Sequence, residues 1–247
     1  MEYISKFVTL IESPEPPEPP IPEFDGTLIR VRVTAASPTF GIATAALASG
    51  HAAGTVGWGD GSSTPFTAIS GLTHTYAEPG VYDVIVSDDI RSLGCSSNEE
   101  GMEVFRDAYA PMIQRVISRS TTLAELAGYA FQNAVNLTEV DLTPCPFYEI
   151  NTCSFRSCSS LRNARFVPTL ERLRLAPFAG CTALEKVEFP GVRFFVIKGE
   201  TSCPFYECTA LREIHFSAAN EQAIKSGSAF TNYPDLGAPS ATISFDL

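Results

Sequence analysis

The residues of this chain best able to do chemistry are its seven cysteines, three histidines and twenty-eight acids. Six of the cysteines lie after residue 144, and two pairs, Cys153/Cys158 and Cys203/Cys208, repeat a C-x4-C spacing. A zinc site needs four ligands converging at about 2.3 Å for sulfur. The two pairs fall two repeat units apart, roughly 9–10 Å at strand spacing, so they cannot share one ion. An odd cysteine count leaves at least one thiol unpaired in a monomer. The register of the cysteines with the repeat favours packed thiols over local disulfides. Asp60 sits in a GWGDGSS turn with only Ser62 and Ser63 nearby, whereas calcium takes about six to eight oxygens. Asp60 is expected to bond turn amides instead. No metal and no cofactor are predicted.

Catalytic motifs are missing as well. No histidine stands beside a G-x-S-x-G, H-E-x-x-H or Walker pattern, and the glycine spacing of GWGDGSS is wrong for a dinucleotide site. His74 is expected to be structural. The chain reads as a non-enzyme, with a hydrolase assembled from scattered carboxylates as the remote alternative. Binding has better candidates. Tyr148 and Tyr206 recur in the twin segments CPFYEI and CPFYEC, and Phe194 precedes Phe195 in the longest insertion between repeats. Insertions in solenoids form loops on one face, often the binding face. Arg162, Arg165 and Arg212 join them through the charge columns described below.

These residues need elements to position them. With 247 residues, 45% of them hydrophobic and 18% charged, the chain can bury two modest cores. The net charge of −11 is uneven: thirteen acids and four bases lie through Gly101, fifteen and thirteen after it. An acidic half beside a nearly neutral half offers no footprint for a phosphate backbone, so nucleic acid is not an expected partner. No run reaches the roughly 18–20 apolar residues that span a bilayer. The N-terminus lacks the charged start and apolar core of a signal peptide. Two explanations stand: an export signal already removed, or export by another route.

Residues 1–26 read as a short strand, Ile4 to Ile11, and an acidic proline-rich spacer, SPEPPEPPIPE at 13–23. From Leu28 to about Ser92, alternating segments such as LIRVRV and VYDVIV are strands, separated by turn signals. The order Trp58, Gly59-Asp60-Gly61-Ser62, His74-Thr75-Tyr76, Gly80, Tyr82, Val84 resembles PKD-type immunoglobulin-like domains of bacterial extracellular proteins, over about residues 27–94. The resemblance implies a β-sandwich with Trp58 in its core, and places the last two strands in the HTY-x-x-x-G-x-Y-x-V stretch.

After residue 102 the period changes. YAFQNAVNLTEVDL, CSFRSCSSLRNARF, APFAGCTALEKVEF and CPFYECTALREIHF stack on anchor phenylalanines Phe131, Phe155, Phe178 and Phe205, spaced 24, 23 and 27 residues apart. Each unit reads F-x-x-C/A-x-x-L-x-x-[VIA]-x-[FL], an apolar template in the twenties that marks a leucine-rich solenoid. Phe and the Cys three residues on share a face of a short helical turn, and Leu-x-x-Val-x-Phe starts a strand. One column, Ala134, Cys158, Cys181 and Cys208, takes only a small apolar group.

The array resembles the BspA-like leucine-rich-repeat proteins of bacterial surfaces, with residues 105–123 as a degenerate first coil and a helix and last strand closing the end. Stacked in register, Asp141, Arg165, Glu188 and His215 form one column, and Thr138, Arg162, Glu185 and Arg212 another. Either they contact a ligand or they form a solvated ladder, worth roughly 0.2–1 kcal/mol a pair.

The expected fold is therefore mixed α and β: an immunoglobulin-like, PKD-like sandwich over 27–94, then over 95–247 a leucine-rich-repeat solenoid of about four to five repeats, with parallel strands and short helical turns. The expected function is non-catalytic recognition or adhesion at a bacterial cell surface or outside the cell, with a protein or glycan ligand. The second reading is a structural or assembly protein of a phage or prophage virion or a surface layer. Nothing in the sequence sets the oligomeric state.

Overall fold

The computed structural model describes residues 19–67, 69–94 and 108–247; the strand expected at Ile4 to Ile11 lies outside the described residues. The front half holds β1 (Thr27–Val33), β2 (Thr39–Leu47), β3 (Gly54–Gly57), β4 (Ser63–Phe66), β5 (Ile69–Thr75), β6 (Gly80–Val86) and β7 (Ile90–Gly94). Strands β1, β6, β3 and β4 lie in one sheet and β5, β2 and β7 in another, all joined antiparallel. Alternation places Ile29, Val31, Val33, Phe40, Ile42, Val84 and Val86 in one core with Trp58, all buried. Strand β7 follows the HTY segment as a third strand where two were expected, and it pairs with β2.

The GWGDGSS segment is the β3–β4 turn. Gly59 has φ +84°, and a Cβ there would lie 2.8 Å from the Asp83 carbonyl oxygen, so the turn requires glycine. Asp60 accepts the Ser62 amide (2.9 Å) and hydroxyl (2.6 Å), and its other oxygen meets His74 Nε2 at 2.7 Å. The Ser62 bonds, chiefly, hold its carboxyl down to about 2. His74 stacks on the Trp58 ring at 5.1 Å, and Tyr76 donates its hydroxyl to the Trp58 carbonyl at 2.9 Å.

One charged residue is buried in this sheet. Arg30 forks onto Asp83 across the strand at 2.7 and 2.9 Å and donates to the carbonyls of Pro19 and Pro20. A buried guanidinium must have all such partners. The end of the proline-rich segment is thus held against β1 by Arg30.

The second half adds β8 (Ile113–Ser118), β9 (Glu125–Leu126), β10 (Glu139–Leu142), β11 (Glu149–Ile150), β12 (Asn163–Phe166), β13 (Arg172–Leu173), β14 (Lys186–Phe189), β15 (Phe194–Phe195), β16 (Glu213–Phe216), the helices α1 (Glu221–Ser226) and α2 (Ser228–Asn232), and β17 (Thr242–Phe245). They wind into a solenoid with two sheet faces. The first carries β8, β10 and β12, then β14, β16 and β17; the second carries β11, β13 and β15. Pairing within each is parallel. Phe194 and Phe195, expected in a loop, form β15, because their amides continue the ladder from Glu171 and β13.

Between faces the chain turns a corner. Each corner is two successive four-residue turns rather than a helical turn: Cys158 N–H donates to Phe155 and Leu161 N–H to Cys158, and the other units repeat both bonds. Phe131, Phe155, Phe178 and Phe205 are fully buried, their rings 5.6, 5.5 and 5.9 Å apart and nearly parallel. Such pairs contribute about 0.5–1.5 kcal/mol each beyond burial. The small column does more than fill space. Cys158, Cys181 and Cys208 donate their thiols to the Phe131, Phe155 and Phe178 carbonyls of the preceding rung, at 3.2, 3.2 and 3.1 Å. All six described cysteines are free thiols. The last turn lacks a phenylalanine: Ala238 and Ala241 take the cysteine and leucine places and repeat their bonds.

The halves share their sheets. Strand β8 pairs parallel with β10 on one side and antiparallel with β1 on the other, so seven strands run in the order β12-β10-β8-β1-β6-β3-β4. On the second face β9 pairs parallel with β7. One hydrophobic core is continuous from Ile29 to Ala238.

Two outcomes are expected from this packing. Leu184→Ala and Leu211→Ala, at fully buried positions, should each lower unfolding free energy by about 2–5 kcal/mol in denaturant titrations. Burial pushes the Cys158 and Cys181 thiols above the ordinary range, so iodoacetamide at pH 8 should label both only after denaturation.

Candidate binding surface

The second solenoid face carries an aromatic patch. Arg172 in β13 is the register partner of Glu149 in β11 and of Phe194 in β15, and Tyr148 immediately precedes Glu149, so the three residues lie on three successive rungs. The Arg172 guanidinium sits 5.3 Å from the Tyr148 ring centre and 5.7 Å from that of Phe194, and Arg193 covers Phe194 at 5.2 Å. Each such contact is worth roughly 0.5–1 kcal/mol at an exposed site. Glu149 ties Arg172 (3.3 Å) and Arg174 (3.1 Å), and Glu171 ties Arg193 (2.7 Å). Tyr148 and Phe194 nevertheless stay 47% and 42% exposed, where Phe195 turns inward against Phe216. Rings held flat and rigid in water have little entropy left to lose on binding.

The first face is charged. Its outward row runs across the junction between halves: Asp83 to Arg30, then Arg115 to Glu139 (2.9 Å) and Glu139 to Arg165 (2.9 Å). Arg165 also reaches Asp141 at 3.7 Å, and Asp141 and Arg165 are register partners as expected. Glu188 and His215 are partners too. Between them the expected columns break. No backbone hydrogen bond links β12 to β14, although the corners beside them stay laddered, as Ser157 N–H to the Ala179 carbonyl shows. The face opens here into a cleft of about 830 Å³ lined by Arg162, Arg165, Phe166, Lys186 and Glu188 among others. Arg165 therefore does not meet Glu188, nor Arg162 Glu185.

The remaining candidates lie apart. Tyr206 sits in a corner turn, half-buried against Cys153, Ala176 and Ala179, and not beside Tyr148. The twin segments occupy different phases of the repeat: Phe205 is an anchor phenylalanine, and Phe147 leads into β11. Arg212 turns back on its own chain, donating to the Thr209 and Leu211 carbonyls. The six residues thus divide into Tyr148 with Phe194, Arg162 with Arg165, and Tyr206 and Arg212 singly. Arg172 and Arg193, which organise the aromatic patch, were legible only as arginines of the inter-repeat segments.

At the far end His215 bridges Asp246 (2.8 Å) and Glu213 (3.0 Å), fastening β17 to β16. Those two carboxylates raise the His215 pKa, and His215 lowers theirs. The histidine's contribution is complete below its ordinary value of 6.5 and is lost as pH rises through the raised one. The carboxylates' contribution is lost as pH falls through their lowered values. The melting-temperature difference between wild type and His215→Gln should therefore shrink as pH rises from 6 to 9. A constant difference would show that the ion pairs do not hold β17.

Among the described residues no helix is long and apolar enough to cross a membrane, and no group of three or more His, Cys, Asp or Glu could hold a metal ion. No curated protein and no solved structure matches the chain. A family model does: residues 124–239 match the BspA type leucine rich repeat region in six copies, beside four to five units counted on the anchor phenylalanines. Over these residues the winding solenoid, from β9 to the turn before β17, is similar to BspA type leucine-rich repeat regions.

Proposed function

We propose that this is a non-catalytic recognition or adhesion protein of a bacterial surface, binding a host protein or glycan through the repeat region. BspA type leucine-rich repeats are typical of surface-exposed proteins, and leucine-rich repeats often mediate protein binding. The observation that carries the reading is the Tyr148–Arg172–Phe194 stack: two exposed aromatic rings, fixed by one guanidinium and rimmed by charge. Interface hot spots are enriched in tyrosine and arginine, and aromatic residues generally are common in interface cores. In the same proposal the front half, over 27–94, is a PKD-like immunoglobulin-type domain that spaces and caps the repeats over 95–247. Its two facing antiparallel sheets and buried Trp58 support that assignment.

The test is a binding screen of the intact chain on glycan and extracellular-matrix arrays. Both halves share a sheet, so the repeat region is not tested alone. Saturable binding, weakened at least about tenfold in Tyr148→Ala/Phe194→Ala, is expected; that factor is about 1.4 kcal/mol. Absence of binding to every arrayed ligand would overturn the adhesion reading and leave the assembly role in a virion or surface layer.

A further inference from the structure

We infer that the aromatic patch of the second face takes a sugar bearing a single carboxylate, at the end of an otherwise neutral glycan; this rests on the recognition reading and names a ligand class for it. Charge decides the class. Both oxygens of Glu149 are engaged, Oε2 by Arg172 and Oε1 by Arg174, so two guanidiniums share one carboxylate. The neighbouring acid, Glu171, is held by Arg193 through two nitrogens. On the first face Glu139 also takes two arginines, Arg115 and Arg165, but there Asp141 supplies a second carboxylate. Among the described residues no second acid serves Arg172 and Arg174, and one positive charge is left over. Arg174 is the less satisfied of the two: its side chain is 41% exposed, and it gives Glu149 only its Nη1. A guanidinium carries five N–H donors in a fork that matches a carboxylate, and an exposed ion pair is weak enough to be shared with an incoming one.

The rest of the surface suits a sugar better than a peptide. Its main chain is closed, because the amides of Arg172, Arg174, Phe194 and Val196 all donate to the preceding strand. An extended peptide finds no open edge there, and contact is left to side chains. Guanidinium donors alternate with the Glu149 and Glu171 acceptors, and a sugar hydroxyl both donates and accepts. Tyr148 is the more exposed ring, and Arg172 is its one cation contact among the described residues, whereas Phe194 meets Arg172 and Arg193. Tyr148 therefore offers apolar ring surface to the C–H side of a sugar, with the carboxylate reaching Arg174. One unmatched cation suits one carboxylate; a polyanion would also meet Glu149 and Glu171, and like charges repel.

The probes are lactose and two singly acidic forms of it, sialyllactose and glucuronyl-lactose, with heparin as a polyanion, each titrated against the intact chain. At least one acidic trisaccharide should bind at least tenfold tighter than lactose, and the advantage should shrink as salt rises. Arg174→Gln should abolish the advantage, and Glu149→Gln, which frees both guanidiniums, should enlarge it. Effects of opposite sign cannot come from a common loss of fold, and melting of each variant checks this. Acidic and neutral sugars bound equally, or heparin bound tighter than both trisaccharides, would overturn the carboxylate seat. Proteins or neutral glycans captured on the arrays, lost in Tyr148→Ala/Phe194→Ala but unaffected by Arg174→Gln, would overturn it while leaving the recognition reading intact. Failure of arrays and probes together would overturn both.

Discussion

A solenoid can be extended one rung at a time, but its first rung presents bare backbone on every face. Those amide groups cost free energy when buried without partners, so the first rung determines what may precede it. Here β8 meets β1 on one face and β9 meets β7 on the other. On the first face the parallel ladder of the repeats passes through β8 into the antiparallel ladder of the front half without a break. The core follows the sheets, because side chains alternate along strands that are continuous across the junction. Terminal caps are what solenoids require for solubility, and in this chain the cap is a whole folded half.

Within the repeats one interior constraint frees the exterior. The phenylalanine and small-residue columns take the buried positions, and each thiol is also a donor to the rung before it. Side chains pointing outward are then unconstrained by packing, and the two faces diverge. One accumulates arginine between aromatic rings; the other accumulates alternating charge and an opened ladder. A single backbone plan thereby carries two chemically unlike surfaces.

The repeat interior was legible in the sequence because its signal is local and recurs. Phe131, Phe155, Phe178 and Phe205 with their small partners identify corners, and the residues between Leu and the next Phe identify strands. Three things were not legible. The pairing of β1 with β8 joins segments about ninety residues apart, and neither strand's alternation states its neighbour. Tyr148 and Tyr206 lie in identical CPFYE pentapeptides, yet the phase of the repeat decides which tyrosine reaches water. The break between β12 and β14 leaves a faint residue signature: Ala164, only partly buried, stands where Val140, Val187 and Ile214 are buried, yet a single alanine within the repeat template does not announce an unpaired edge. For the site, the right residue types were visible on the strands, but the grouping of Tyr148 with Phe194 needed the register of three short strands and Arg172 between them.

The junction also determines how the molecule would carry mechanical load. A pull on the segment ahead of Gly26 reaches β1 first. That strand is laddered to β6 through seven register pairs and to β8 through five. Sliding it out along its own axis must rupture both ladders at once, and shear of this kind resists force far better than peeling one bond after another. Arg30, clasping Asp83 and the Pro19 and Pro20 carbonyls, lies in the path of the same pull. Tension entering from that side would be spread across the seven-stranded sheet before it reached β12, and at the seam beyond β12, where this face has no backbone bonds, the load would pass to the corners and to the ladder between β13 and β15.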